Sequence, residues 1–243
     1  MSLAETIHAR LAAAADAARA PGMQAYMKST MPFLGVPAGP MRQICKAVFS
    51  DIRFDNGEHW QAEVLAIWRG ARFREERYAA IELTGLRSAR PFQRFDALPM
   101  YEEMIVTGAW WDYVDAIAAH RLLAILRNDG PAMRRAMLRW ASDADMWKRR
   151  SAILCQLDAK AGTDLDLLYA CIAPSIGSKE FFLRKAIGWA LRHYARIDPE
   201  EVVRYVAEHP ELSGLSRREA LKQIGAAASA GSFAGRSREC GTT

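Results

Sequence analysis

Residues 184–194 read RKAIGWALRHY. An arginine opens the segment, and the apolar residues behind it recur at helical spacing. The same opening recurs along the chain. Arg150-Ser151-Ala152-Ile153, Arg184-Lys185-Ala186-Ile187 and Arg218-Glu219-Ala220-Leu221 stand 34 residues apart. Each begins an apolar stretch of helical period, and Arg77-Tyr78-Ala79-Ala80-Ile81 reads as a degenerate earlier copy. A supersecondary unit repeated every 30–45 residues or so marks an α-solenoid, in which helix pairs stack into a curved array.

Start and stop signals agree with helices throughout. Pro40 fits the first turn of a helix over "MRQICKAVFSDI". Gly130-Pro131 ends one helix and opens another. Asp198-Pro199-Glu200 gives a cap, a proline and an acid in the order a helix N-terminus favours. Ser216 and Glu219 have the spacing of a capping box. No alternating strand pattern and no Asn-Gly or Asp-Gly hairpin stands between strand-like runs. The expected fold is all-α: a curved α-solenoid of helix-pair repeats in one domain over residues 1–225. The small, polar segment 226–243 reads as a flexible tail.

Composition narrows the function. Of 243 residues, 51% are apolar and 25% charged, an ordinary globular balance. The chain has no apolar run long enough to span a membrane. Its N-terminus lacks the layout of a secretory signal, so a cytoplasmic location is expected. Cys45, Cys155, Cys171 and Cys240 are scattered without CxxC pairs or nearby histidines at ligand spacing. They read as reduced, mostly buried thiols, and neither a metal nor a cofactor is called for. Lysine and arginine number 33 against 28 acids, a net charge of +5. This modest excess permits an anionic partner. Arginine dominates it, which suits bidentate phosphate contacts. In a stacked array Arg150, Arg184 and Arg218 repeat at equivalent positions and can form a ladder along a phosphate track. Each alone reads better as a solvated residue ahead of a core stripe, and it is the three copies in register that favour the ladder.

Residues 108–120, GAWWDYVDAIAAH, concentrate aromatic surface and acid. At about 100° per residue, Trp110, Val114, Ile117 and Ala118 share an arc that faces the core. Trp111 and Asp115 stack at its border. Asp112 lies farther round as a solvated or capping carboxylate, and Tyr113 falls nearly opposite Trp111. Arg150 and Trp189 follow Trp111 at successive steps of 39 residues, about one repeat each. The four can therefore project from successive inner helices. The alternative is ordinary packing of a border tryptophan with an ion-paired aspartate. Two indoles and a carboxylate make a site for positive charge. Cleavage of the N-glycosidic bond to a cationic alkylated purine develops such charge on the sugar. Its base leaves without a strong general acid, so one carboxylate suffices where glycoside hydrolysis ordinarily uses two.

With these residues in view, the sequence resembles the AlkD-type alkylpurine DNA glycosylases, in the DNA alkylation repair enzyme family of HEAT-like repeat proteins. The resemblance covers roughly residues 20–225. It rests on YMKSTMPFLGVP (26–37), WWDYVDAIAAH (110–120), MWKRRSAIL (146–154), SKEFFLRKAIGWALRHYA (178–195) and LSRREALKQI (215–224). The stretch GVPAGPMRQ (35–43) departs from the family pattern in being less polar.

The resemblance implies a concave DNA-binding face and a role for each matching residue. Trp111 and Trp189 match the cleft tryptophans that contact the lesion's deoxyribose. Asp115 matches the catalytic aspartate, Arg150 an arginine on the DNA backbone, and Tyr26 an N-terminal aromatic of the same cleft. Arg149, Arg184 and Arg218 join the expected DNA-contacting set. The implied activity is removal of N3- and N7-alkylated purines from double-stranded DNA without base flipping, by a monomer, as a step of base excision repair. A non-catalytic protein that binds distorted or branched DNA is the alternative, and a protein–protein scaffold is a third possibility. Lyase chemistry needs an amine nucleophile. By the same wheel Lys148 and Lys185 fall on other faces.

Overall fold

Helices form wherever the apolar spacing is helical, and the computed structural model describes them over residues 1–234, with side chains through Ile224. No strand occurs among the described residues. Packing contacts divide the chain into two units.

The first unit comprises Met1–Ile117 with 127–129. It holds α1 (Leu3–Ala13), α2 (Ala20–Met27), α3 (Ala38–Phe49), α4 (Gly57–Gly70), α5 (Arg74–Thr84), α6 (Leu98–Gly108) and α7 (Trp111–Ala116). Helices α3, α5 and α7 touch in succession. α4 packs on α5 and α6, α6 packs on α7, and α1 lies across α3, α4 and α5. Trp60, Trp68, Tyr101 and Tyr113 fill the interior.

One carboxylate fixes the entry to this row. Glu75 is fully buried on α5 and accepts the Leu34, Gly35 and Val36 backbone N–H groups at 3.0, 2.9 and 3.1 Å. Charge-assisted bonds of this kind are about twice as strong as neutral ones. Gly35 makes the turn with φ +88°, and an added Cβ there would lie 2.1 Å from the Asp16 carbonyl oxygen. The PFLG stretch is therefore a loop pinned from beneath.

The second unit comprises Ala118–Leu126 and Gly130 onward. After α8 (Leu123–Asn128), whose last residues fall in the first unit, come α9 (Gly130–Ala141), α10 (Met146–Leu154), α11 (Leu165–Ile172), α12 (Phe181–Tyr194), α13 (Pro199–Glu208) and α14 (Gly214–Ala234). Helices α10, α12 and α14 touch in succession. α9 and α11 pack on each other and on α10, and α13 packs on α12 and α14. The 34-residue period thus corresponds to one helix pair. It places Arg150, Arg184 and Arg218 on the three successive helices of one layer.

Several sequence signals act as read. α9 begins at Gly130-Pro131. The Asp198 side chain accepts from the Glu201 N–H and caps α13. The capping box at Ser216 and Glu219 does not form. α14 starts two residues before Ser216, and the Ser213 hydroxyl accepts from the Ser216 N–H at 3.0 Å. Ser216 is instead buried, and its hydroxyl donates to the Arg184 carbonyl at 2.9 Å. Glu219 receives Lys185 and Arg192, each at 2.7 Å. Both residues thus join α14 to α12. The backbone of 226–234 continues α14, and the rest of the expected tail, with Cys240, lies outside the described residues. Cys45, Cys155 and Cys171 are buried free thiols, and burial pushes Cys45 and Cys171 up to about 12. Among the described residues no helix is long and apolar enough to cross a membrane.

Candidate active site

Ala109 adopts the left-handed region at φ 43° and turns the chain sharply between α6 and α7. Gly108 precedes it because an added Cβ would lie 3.1 Å from both the Trp68 and Tyr113 rings. Trp110 is consequently in extended backbone as the N-cap residue, and the helix starts at Trp111. This corrects the wheel in one respect. Trp110 is half-buried and outside the helix, while Tyr113 is fully buried beside Trp68 and Tyr78, with ring centroids 5.3 and 5.2 Å away. Val114, Ile117 and Ala118 are fully buried, as read.

Trp111 and Asp115 stand one turn apart on α7 and so share a face. Trp111 is half-buried, and Asp115 is 9% exposed. A π-helical turn, Ile117–Leu122, follows at once. Such turns recur at functional sites, where the widened backbone re-aims side chains.

Asp112 is neither solvated nor a cap. Arg74 Nη2 donates to both its oxygens at 2.8 and 2.7 Å, and the Tyr78 hydroxyl donates to it at 2.5 Å. The Arg74 guanidinium also lies 4.2 Å from the Tyr113 ring centroid. Burial opposes the charge on Arg74, but Tyr113, Asp112 and Tyr78 together hold its pKa above the ordinary arginine value. Burial pushes the Tyr78 and Tyr113 hydroxyls up, so both stay neutral at pH 7, and Tyr78 donates. This clamp ties α7 to α5. Sequence reading missed Arg74 and Tyr78. Their only local trace is the four-residue spacing that places them on one side of α5.

Tyr26, on α2, is 79% exposed and lines an open cavity of about 330 Å³. Met27, Phe33, Met41 and Ile81 supply its apolar wall, and Asp112 and Ala116 of α7 also line it. The N-terminal aromatic and α7 therefore border the same space.

In the second unit Arg150 is 3% exposed. Its Nη1 donates to the Phe182 carbonyl, and its guanidinium lies 5.9 Å from the Phe182 ring centroid. It is thus anchored to the first turn of α12. Trp189 stands two turns farther along α12, half-buried, with its ring edge-on to His193 at 5.6 Å. Burial lowers the His193 pKa, and its Nδ1 faces the Leu157 carbonyl at 3.2 Å. Arg149 donates to the Ser175 hydroxyl from Nε at 3.2 Å and Nη2 at 3.0 Å. Arg184 is half-buried, and Arg218 is exposed. The 34-residue ladder is therefore regular in position but graded in exposure. Lys148 pairs with Asp143 at 2.6 Å and Lys185 with Glu219, so the two lysines weighed as amine nucleophiles are held in ion pairs.

The helix-pair layers define a helical-repeat protein. The family model described as DNA alkylation repair enzyme matches residues 7–224, and the chain belongs to that family. Among solved structures it is similar to one described as a predicted DNA alkylation repair enzyme from Enterococcus faecalis. The TM-score is 0.77 and the identity 28%, over 86% of this chain and 95% of that one. No curated protein matches the chain.

Proposed function

We propose that the protein is a monofunctional glycosylase that hydrolyses the N-glycosidic bond of cationic N3- and N7-alkylated purines in duplex DNA. The observation that carries this reading is the pairing of Trp111 and Asp115 on one face of a clamped helix, in a chain of the DNA alkylation repair family. The base carries its positive charge before reaction. As the C1′–N bond breaks, its electron pair passes to the base and neutralises it. Positive charge grows on the sugar, where the Asp115 carboxylate and the indole faces of Trp111 and Trp189 stabilise it. Asp115 orients a water whose oxygen bonds to C1′, and the carboxylate takes the released proton.

In this reading no enclosed pocket has to receive the base, which stays unflipped against the usual habit of glycosylases. Tyr26, Arg149, Arg150, Arg184 and Arg218 are assigned to the sugar-phosphate backbone. The enzyme acts as a monomer on alkylated double-stranded DNA in the nucleoid-containing cytoplasm and opens base excision repair.

Asp115→Asn keeps size and polarity but removes the charge. Release of 7-methylguanine from methylated duplex should fall by about 100-fold or more, the scale of losing one such electrostatic group, with melting temperature and duplex affinity retained. Undiminished release rejects the assignment. The low exposure of Asp115 favours a second reading, a DNA-binding protein in which this acid is structural. That reading is supported if the wild type binds duplex and releases no base.

A further inference from the structure

Several arginines in this protein are neutralised. Arg69, Arg74, Arg94, Arg134, Arg192 and Arg204 each hold a carboxylate. One cleft gathers cations that hold none. Between α3 and the C-terminal end of α5 lies an open cleft of about 640 Å³ lined by Arg42, Lys46, Arg53 and Arg87. All four side chains are exposed, and none pairs with a carboxylate among the described residues. Arg53 reaches only the Ser50 and Ile52 carbonyls. Glu82 is the single acid on the wall.

The cleft is built by the amphipathic register of α3. Arg42 and Lys46 are four residues apart and share a face, while Cys45 and Phe49, both buried, form the floor beneath them. Four residues of helix advance about 6 Å, so the two cations can reach neighbouring phosphates of one strand. Four unneutralised cations against one acid repel one another. A fold retains them together at low cost only in open solvent or beside a polyanion. The cleft is open and walled by charge on several sides, which suits a run of phosphodiesters passing through it better than an enclosed small anion. Arg42 and Glu82 also line the cavity that Tyr26 borders, so the two spaces share a wall.

We infer that the cleft formed by Arg42, Lys46, Arg53 and Arg87 holds the DNA backbone away from the lesion and supplies sequence-independent affinity. The inference rests on the glycosylase reading for its partner and adds a binding surface which that reading leaves out.

The test measures the affinity of the full chain for unmodified and methylated duplex across a salt series. Each lost phosphate contact lowers the slope of log affinity against log salt by about 0.9. Arg42→Gln with Lys46→Gln should therefore make the slope shallower by about 1.8, equally for both duplexes. A control, Arg135→Gln with Arg139→Gln, removes two exposed charges from α9 and should leave the slope unchanged. Glu82→Gln keeps all four cations and should strengthen binding, which provides a readout even if the double variant fails to fold. An unchanged slope in the double variant, an equal loss in the control, or no gain from Glu82→Gln overturns the cleft. Base release by the wild type is scored separately. Release with a cleft-independent slope rejects this inference alone. A cleft-dependent slope without release rejects the glycosylase reading alone.

Discussion

Asp112 and Asp115 are three residues apart, and the proposed function gives them opposite duties. Asp112 is bonded to Arg74 and Tyr78, with the ion-paired side chains of Arg74 and Asp112 only 5% and 13% exposed. A pair so enclosed is held by mutual attraction and hydrogen bonds against a desolvation cost. Removing one partner strands the other charge, at about 3–5 kcal/mol. Asp112→Ala should therefore lower stability by about that amount in denaturant melts. Arg74→Met combined with Asp112→Leu, which removes both charges, should cost clearly less. A double variant as unstable as the single one would mean that packing, and not the charge pair, holds α7 to α5. Asp115, by contrast, lies one turn from Trp111 on the same helix. The wheel distinguished these two positions on α7. It could not identify the partner of Asp112, because Arg74 lies 38 residues away and only tertiary packing brings it near.

At the scale of elements, the contact between α12 and α14 is set by small residues. An added Cβ on Gly188 would lie 2.5 Å from Glu219 Cβ and 2.8 Å from the Ser216 carbonyl oxygen. The two helices can approach only because Gly188 has no side chain and Ser216 has a short one. Gly188→Ala should destabilise the protein by about 1–3 kcal/mol, the usual cost of overpacking a tight core. It should also disturb Trp189, the next residue, which tryptophan fluorescence would register. An unchanged melting temperature would show that α14 yields freely. Helix pairing was legible because its signals are local: a 34-residue period, Gly130-Pro131 and the Asp198 cap. The two misread starts, at Trp110 and at Ser216, share one physical cause. Helix phase depends on where the first turn begins. Ala109 in a left-handed conformation and Ser213 as the true cap each shift that point by a residue or more.

For the molecule as a whole, the net charge of +5 says little by itself. What matters is where the fold gathers cations that hold no carboxylate. Those around α3 and the end of α5 escaped sequence reading because Arg42, Lys46, Arg53 and Arg87 are separated by as many as 45 residues and meet only through the packing of α3 on α5. The proposed chemistry makes a demand that folding and binding measurements cannot meet: a bond to an alkylated base must break by addition of water. The most direct measurement is product analysis of methylated duplex DNA incubated with the wild-type protein. The account predicts free 7-methylguanine and 3-methyladenine, with abasic sites left in unbroken strands. Methylated bases that stay attached, or strands cut at the lesion, would contradict it.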